Sequence, residues 1–351
     1  FSWGGSVIVK RLMVGLLAVL AVGALVFVWM LNTRVDLSAF DSLYAPRAED
    51  GVSVQFFGTS SLLFADADTR IMIDGWFSRP STVSILFGEI APDLEAIDAG
   101  LARLGDRDVD ALIPVHTHLD HAMDVAEVAK RTGALLVGSD SAANIGRGGG
   151  LPESQIRVVT DGDTLRFGDF TVTMIETGHF LSPNPLFRET DVLIEDTLSP
   201  PASGWAYRQG TVFSVLIEHP EGSALIHASP GLKEGAFADI DVDTLHLGIG
   251  GLASQTTDYQ AALWREAVSL PKPEGLYLIH WDDFEHSPMS IDPGDPPGAL
   301  NLFWDGVFGM KSKAGIEAVL TRAKAEGVHV ALLPMWTPVD AFHVAGHSFG
   351  E

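Results

Sequence analysis

The stretch VHTHLDHAMD, residues 115–124, crowds three histidines and two aspartates into nine positions directly behind the apolar run DALIPV. Connections between a strand and a helix ordinarily use Gly, Asn, Ser or Pro, which suit turn geometry. Imidazoles add little to a turn. The apolar run reads as a buried strand, and on its extended end His116 and His118 stand two residues apart and point to one side. Asp120 and His121 fall where the next helix starts and project back toward the same place. Any fold for this chain must therefore open a pocket at the end of that strand. A lone histidine is more often a structural residue than a ligand, but four donors packed without a cation would leave several polar groups unpaired. Imidazole with carboxylate suits zinc, and also manganese or iron.

Near the start, Leu12–Leu31 runs twenty residues, LMVGLLAVLAVGALVFVWML, without a charge. That length crosses a hydrocarbon core of ~30 Å as a helix. Lys10 and Arg11 precede it, Arg34 and Asp36 follow, and Trp29 sits where an interfacial aromatic belongs. The run is longer than a signal-peptide core and no A-x-A site follows it, while a buried core helix would show a polar stripe. The expected organisation is a membrane anchor over 1–34, with a spanning helix at about 12–31, a linker over 35–50 and one domain over 51–351. The positive-inside rule puts Lys10 and Arg11 on the cytoplasmic side of an inner or plasma membrane and the domain on the periplasmic or extracytoplasmic side. Gly15, Ala18 and Gly23 would let the helix of a membrane-protein partner approach.

Asp and Glu number 46 against 22 Lys and Arg, a net charge of −24. Such a surface argues against nucleic acid as a partner and against charge-driven docking on anionic lipid. The absence of cysteine removes disulfides, thiolate catalysis and Cys-based zinc sites. Short apolar runs such as VSVQFFG, SLLFAD, RIMIDG, FTVTMIETG, SALIHAS, DTLHLGI and GLYLIH read as strands, with helical spacing in PDLEAIDAGLARLG and at 257–269 and 312–325. Two batches of strands, each with helices to one side, predict an α/β sandwich of two sheets covered by helices. GRGGG at 146–150 reads as a flexible loop. The Pro-rich stretch 181–210 offers Phe187, Trp205 and Tyr207 as pocket walls, and FWDGVFGM at 303–310 is an apolar segment for a pocket, a partner or the core.

H-T-H-L-D-H behind an apolar strand resembles the signature of the metallo-β-lactamase superfamily of hydrolases, and the similarity extends over most of residues 52–334. The resemblance implies an αββα sandwich with a metal site at one edge. VQFFGTSSLLFADADTRIMIDG resembles the family's opening hairpin and puts Asp74 beside the site. MIETGHF offers His179, and YLIHWDDF offers His280. Carried over, His116, His118 and His179 would hold one metal, and Asp120, His121 and His280 a second, with Asp120 also orienting the nucleophile or shuttling its proton. LGIGG and the helix before YLIHW look most like the branch holding N-acylphosphatidylethanolamine-hydrolysing phospholipase D and the ascorbate-lactone hydrolases. The chain departs from the family in SALIHASPG, where Ser229 stands at the position of a bridging aspartate. A hydroxyl is a poor substitute for that carboxylate; His227, two residues back, and Asp282 or Asp283 are the candidates to compensate.

The resemblance thus implies one or two divalent ions, zinc first with manganese or iron as alternatives, and the second site the weaker. A bound dication lowers the pKa of its water toward ~7. The expected activity is that of a membrane-anchored, metal-dependent hydrolase acting on an ester, lactone or phosphodiester in a small-molecule or lipid-like substrate. The alternative is a catalytically weakened subunit of a membrane complex, with a structural or binding role.

Overall fold

The structure is a computed structural model, and it describes residues 3–105, 108–182 and 193–345. In the first half the strands are β1 (Ser53–Phe56), β2 (Leu62–Ala65), β3 (Arg70–Ile73), β4 (Glu89–Ile90), β5 (Ala111–Ile113), β6 (Leu135–Gly138), β7 (Ile156–Val158), β8 (Thr164–Phe167) and β9 (Phe170–Thr177). The second half adds β10 (Ala202–Ser203), β11 (Val212–His219), β12 (Gly222–His227), β13 (Thr244–Gly248), β14 (Gly275–Ile279), β15 (His329–Leu332) and β16 (Pro338–Asp340). The helices are α1 (Trp3–Asn32), α2 (Thr82–Phe87), α3 (Leu94–Arg103), α4 (Leu119–Ala122), α5 (Val125–Thr132), α6 (Asp140–Gly148), α7 (Thr257–Trp264) and α8 (Ser312–Glu326).

Two seven-stranded sheets carry the domain, in the orders β16-β1-β2-β3-β5-β6-β7 and β15-β14-β13-β12-β11-β9-β8. Each is parallel over one part, from β3 to β7 and from β12 to β15, and antiparallel over the rest, where the hairpins β1–β2, β2–β3, β8–β9 and β11–β12 are joined by the long-range pairs β1–β16 and β9–β11. The period-two alternation of side chains divides the second sheet between two cores. Ala224, Ile226, Tyr277 and Ile279 point into the inter-sheet core with Phe64, Ile71 and Val172. Leu225, Leu276 and Leu278, their neighbours in sequence, point the other way onto Leu263 and Trp264 of α7 and Ile316 and Val319 of α8. Strands buried on both faces read as unbroken apolar runs, which is how they look in this sequence. The architecture is the expected αββα sandwich.

Three segments differ from their sequence reading. The expected linker, 35–50, is laid onto the domain: Ser38–Leu43 forms a 3-10 turn with Phe40 buried, and Ala45 donates its N–H to the Leu332 carbonyl at 2.9 Å. Its spaced apolar residues Leu37, Phe40, Leu43 and Tyr44 pack against the core under α7 and α8, which a solvated linker would not do. The glycines of GRGGG are not slack either, since α6 runs through Gly148. A Cβ at Gly148 would lie 1.9 Å from the Leu198 carbonyl oxygen, and one at Gly149 would lie 2.2 Å from Ala126 Cβ. They are there for close packing.

The third is α1. It spans 30 residues, and Ile8–Asn32, at a mean hydropathy of 2.7, is long and apolar enough to cross a membrane by length and composition. Its last turns meet the domain, with the Phe27 ring edge-on to Phe303 at 5.4 Å and Met30 and Leu31 half-buried against the core. The chain then runs beside residues 300–302, where Leu302 donates to the Thr33 carbonyl at 2.9 Å and Val35 to the Leu300 carbonyl at 3.1 Å. Helix α1 is joined to the domain rather than tethered by slack chain.

Candidate metal centre

The cluster is presented by three strand ends that open on the same edge of the sandwich. After β5 the chain bends at Val115 and His116, with Val115 donating to Asp74 Oδ1 at 2.9 Å and Thr117 to the Gln209 carbonyl at 2.9 Å. His118 caps α4 in an extended conformation, so His116 and His118 sit before the helix while Asp120 and His121 occupy its first turn. His179 follows β9 and His280 follows β14. Asp74 and His280 have φ of 58° and 61°, so each turns left-handed immediately after its strand. For a residue with a Cβ that conformation costs about 1–3 kcal/mol and persists where surrounding structure enforces it. At His280 the enforcement is visible: its N–H donates to the Thr59 carbonyl at 2.6 Å. Gly250 leaves it room, since a Cβ there would lie 2.8 Å from His280 Nδ1.

The six residues fall into two trios whose donor atoms lie within 4.8 Å of one another. In the first, His116 Nε2 and His118 Nδ1 are 2.9 Å apart, and the His179 ring centre is 4.9 Å from both of theirs. In the second, His280 Nε2 lies 3.1 Å from His121 Nε2 and 3.2 Å from Asp120 Oδ2, and His121 Nε2 lies 3.5 Å from that same oxygen. Ligands at about 2.0–2.1 Å around a tetrahedral dication stand roughly 3.3 Å from one another. The second trio therefore has the edges of one face of such a tetrahedron. The trios are neighbours, with the His116 and His121 ring centres 3.9 Å apart. Borderline-soft imidazoles with one carboxylate are a donor set for zinc, manganese or iron.

Burial, followed by the neighbouring imidazoles, holds His116 and His179 well below the ordinary histidine range, so both are neutral and keep a lone pair at neutral pH. His179 Nδ1 donates to the Phe180 carbonyl at 2.8 Å, which leaves Nε2 for the site. Burial works against charge on His121 as well, but Asp74 and Asp120 outweigh it and raise its pKa. Asp74 Oδ2 accepts from His121 Nδ1 at 2.8 Å and from Ser60 Oγ at 2.5 Å. That bond places the His121 proton on Nδ1 and aims the Nε2 lone pair at the trio. Burial pushes Asp120 up, yet His121 and His280 pull it well below the usual carboxylate range and keep it ionised.

Of the residues expected to stand in for a bridging carboxylate, His227, Asp282 and Asp283 are engaged elsewhere and Ser229 is not. Ser229 lies in the turn after β12, buried, and its Oγ has no partner among the described residues. That turn presses on the His179 strand end, because a Cβ at Gly231 would lie 1.7 Å from the Gly178 carbonyl oxygen. His227, expected to compensate beside the ligands, uses both nitrogens on Ser214 Oγ at 2.7 Å and the Gly231 carbonyl at 3.0 Å, and so braces the turn from behind. Asp282 accepts from the Thr59 N–H at 2.9 Å through both oxygens. Asp283 pairs with His286 and, at 3.6 Å, with Arg34. Thr59 and Ser60 are site residues that the sequence reading did not single out. GTSS between two apolar runs was their one signal, and it looks like an ordinary turn.

Above the trios is an open cleft. Its walls are Trp76, Phe180, Trp205, Tyr207, Phe284, Trp304, Phe308 and Met310, with His118, Asp120, His121, His179 and His280 at the floor. Trp205 and Tyr207 thus stand where the sequence put them, FWDGVFGM supplies three wall residues, and Phe187 lies outside the described residues.

Comparison with known proteins bears on the same elements. Residues 54–201 match the Metallo-beta-lactamase superfamily. A UPF0173 metal-dependent hydrolase of Pyrobaculum islandicum is 27% identical over 66% of this chain and 85% of its own length. One from Anaeromyxobacter sp. (strain K) is 30% identical over 38% of this chain and 45% of its own length, so the match spans less than half of that relative. Among solved structures, a metallo hydrolase from the archaeon Ignicoccus hospitalis aligns over 85% of this chain and 99% of that one, at 16% identity and a TM-score of 0.46. YhfI of Bacillus subtilis, a metallo-beta-lactamase fold protein, aligns over 83% and 100%, at 15% identity and a TM-score of 0.47. Residues 54–201 thus carry the sequence of a metallo-β-lactamase superfamily domain, and the two seven-stranded sheets around them are the architecture that this match implies.

Proposed function

We propose that this protein is a membrane-anchored, metal-dependent hydrolase of substrates with an ester, lactone or phosphodiester bond. The observation that carries the reading is the pair of ligand trios side by side on the floor of an aromatic cleft. A divalent ion held there, zinc on this donor set with manganese or iron as alternatives, supplies Lewis acidity and an activated water at neutral pH.

The chain's own residues set the conditions for that chemistry. Asp74 fixes the His121 tautomer through the 2.8 Å bond, and Ser60 steadies Asp74. Asp120 stays ionised; with Oδ2 turned to His121 and His280, its other oxygen is the acceptor for a proton lost by the attacking water. The Trp, Phe and Met walls limit bulk water at the floor, which strengthens charge interactions there. Ser229 brings no anion to offset the repulsion between two cations, so the Asp120–His121–His280 trio holds its ion less tightly than a carboxylate-bridged pair would. The same residue favours the second reading, a weakened member of the fold serving as a subunit in a membrane complex. Helix α1 would supply the anchor, and Lys10 and Arg11, just ahead of its uncharged run, favour the extracytoplasmic side for the domain.

The test is metal content per chain by elemental mass spectrometry on detergent-purified full-length protein, with Ser229→Asp alongside. Hydrolysis of p-nitrophenyl acetate, a δ-lactone and bis(p-nitrophenyl) phosphate is assayed in parallel. Bound metal, with turnover that disappears in His116→Asn, is the expected result. Metal without turnover on any of the three bond types would favour the subunit reading. No metal after loading with zinc, manganese and iron in turn would rule out both the centre and the hydrolase.

A further inference from the structure

We infer that the mouth of the cleft lies against the bilayer and admits an amphiphile, one with an acyl or alkyl chain, directly from the lipid leaflet. This rests on the reading of α1 as a membrane anchor. What it adds is the placement of the active-site entrance and the class of substrate that can reach it.

The rim carries the argument. Among the described residues outside α1, five of the seven large apolar side chains with high exposure are at or next to the rim: Phe87 at 80%, Val83 at 50%, Trp205 and Leu181 at 47% and Val307 at 42%; Leu193 and Leu94 are the other two. Single exposed apolar residues are ordinary, but a contiguous group around a pocket marks an interaction surface. Contiguity follows from the contacts. The short helix α2 turns Ile85 and Leu86 into the cleft and leaves Val83 and Phe87 outside. Trp205 donates its indole N–H to the Leu86 carbonyl at 3.1 Å. Val307 adjoins Phe308, a wall residue, and Leu181 sits between Phe180 and Ser182, which also line the cleft.

The same rim is wired to α1. Trp304 donates its indole N–H to Thr82 Oγ1 at 2.8 Å, tying the turn Phe303–Phe308 to α2, and Phe303 holds Phe27 of the anchor at 5.4 Å. Phe27 is five residues from the end of α1, about 7.5 Å along the axis at ~1.5 Å per residue. It therefore lies near the interfacial Trp29, at the depth where amphipathic elements bury an apolar face ~5–10 Å into the headgroup boundary. Among the described residues no Lys or Arg lines the cleft, and the chain is strongly acidic, so the contact is apolar and suits zwitterionic lipid. A chain entering from the leaflet would lie along Phe308, Trp304 and Met310 and bring its headgroup bond to the histidine floor.

The absence of cysteine allows single-site labelling of the full-length protein. Val19→Cys in mid-α1, Phe87→Cys and Val307→Cys on the rim, and Lys324→Cys near the C-terminal end of α8 are each labelled with bimane. Lys324 is exposed at the end of the domain where β15 begins, opposite the strand ends that bear the histidines. Each variant is reconstituted in phosphatidylcholine vesicles containing lipid with a doxyl group at acyl carbon 5 or 12, and iodide probes access from water. Expected are strong quenching of Val19→Cys by carbon 12, and quenching of both rim labels by carbon 5 at least twofold above that of Lys324→Cys. Rim labels quenched by iodide and not by lipid, with Val19→Cys still quenched, would overturn the entrance and leave the anchor standing. Rim labels shielded from both quenchers would mean that protein covers the rim, a second copy or a membrane partner, and would overturn it equally. An unquenched Val19→Cys would remove the anchor itself and the inference with it.

Discussion

Asp74→Asn replaces one oxygen by an NH2 group at a side chain with no exposed surface. Asp74 Oδ1 accepts from the Val115 N–H at 2.9 Å, and an asparagine oxygen retains that bond. The new NH2 group then occupies the place of Oδ2, 2.8 Å from His121 Nδ1, and donates to it. An imidazole that accepts at Nδ1 carries its proton on Nε2. That atom lies 3.1 Å from His280 Nε2 and 3.5 Å from Asp120 Oδ2, so the trio would present an N–H where an ion needs a lone pair. Loss of such a supporting carboxylate costs about 10–100-fold in metal affinity, or about 1.4–2.7 kcal/mol. The fold should lose no more than about 1 kcal/mol, because the backbone bond survives. Zinc titration of the metal-free full-length protein by calorimetry, with nitrogen-15 spectra of the histidines, reads both consequences. The variant should weaken the step assigned to Asp120, His121 and His280, spare the His116, His118 and His179 step, and move the His121 proton to Nε2. A titration superimposable on that of the native protein would refute the role given to Asp74.

Gly250→Ala should drive a methyl to within 2.8 Å of His280 Nδ1 and 2.7 Å of its carbonyl; the Asp120 trio should lose its ion while the His116 trio keeps its own, as counted by elemental analysis. Gly148→Ala, normally a gain of up to ~1 kcal/mol in a helix, should here cost about 2 kcal/mol or more in a urea melt, because its Cβ falls 1.9 Å from the Leu198 oxygen. His246 is wholly buried between Phe64 and Tyr277, neither nitrogen has a partner among the described residues, and burial holds its pKa down to about 3. His246→Leu should therefore stabilise the fold by about 1 kcal/mol at pH 7. Its folded pKa lies below the 6.5 of free imidazole. The unfolded chain thus takes up a proton as pH falls through 6.5, the folded protein does not, and the native protein loses about 1.4 kcal/mol per pH unit from this group. The advantage of His246→Leu should widen by about 2 kcal/mol between pH 6.5 and 5, and urea melts showing a constant gap would refute it.

Local pattern made much of this molecule legible. The αββα layering could be read because strands buried on both faces are mostly apolar runs, as in β14. Helices α7 and α8 follow the three- and four-residue spacing. Strand alternation would give His116 and His118 a common direction, but β5 ends at Ile113 and the chain bends at Val115, His116 and His118, so the loop held by Asp74 and the Gln209 carbonyl brings the two rings together. Asp120 and His121 fall in the first turn of α4, at the helix start that the sequence suggests. Errors arose where a residue's reason for being there is distant in the chain. Gly146 to Gly149 look like a slack loop until Leu198 and Ala126 are seen against them. Residues 35–50 look solvated until the core under α7 and α8 receives Phe40.

His227, read as a compensating neighbour of the metals, faces the right strand end but has both nitrogens committed to Ser214 and Gly231. Strand alternation predicts a direction and cannot predict a hydrogen-bond partner.

By itself the sequence determined the net charge, the long apolar N-terminal helix, the alternation of strands and helices, and a local cluster of metal-ligand-type donors. Those properties depend on residues adjacent in the chain, through backbone periodicity and composition. Tertiary structure alone decided that His280 comes within 3.1 Å of His121 across 159 intervening steps of chain, that a left-handed turn held by Thr59 aims it there, and that the aromatic rim adjoins the end of α1. Each is a contact between segments far apart in sequence, set by how the two sheets pack, and packing geometry leaves no periodic trace in either segment.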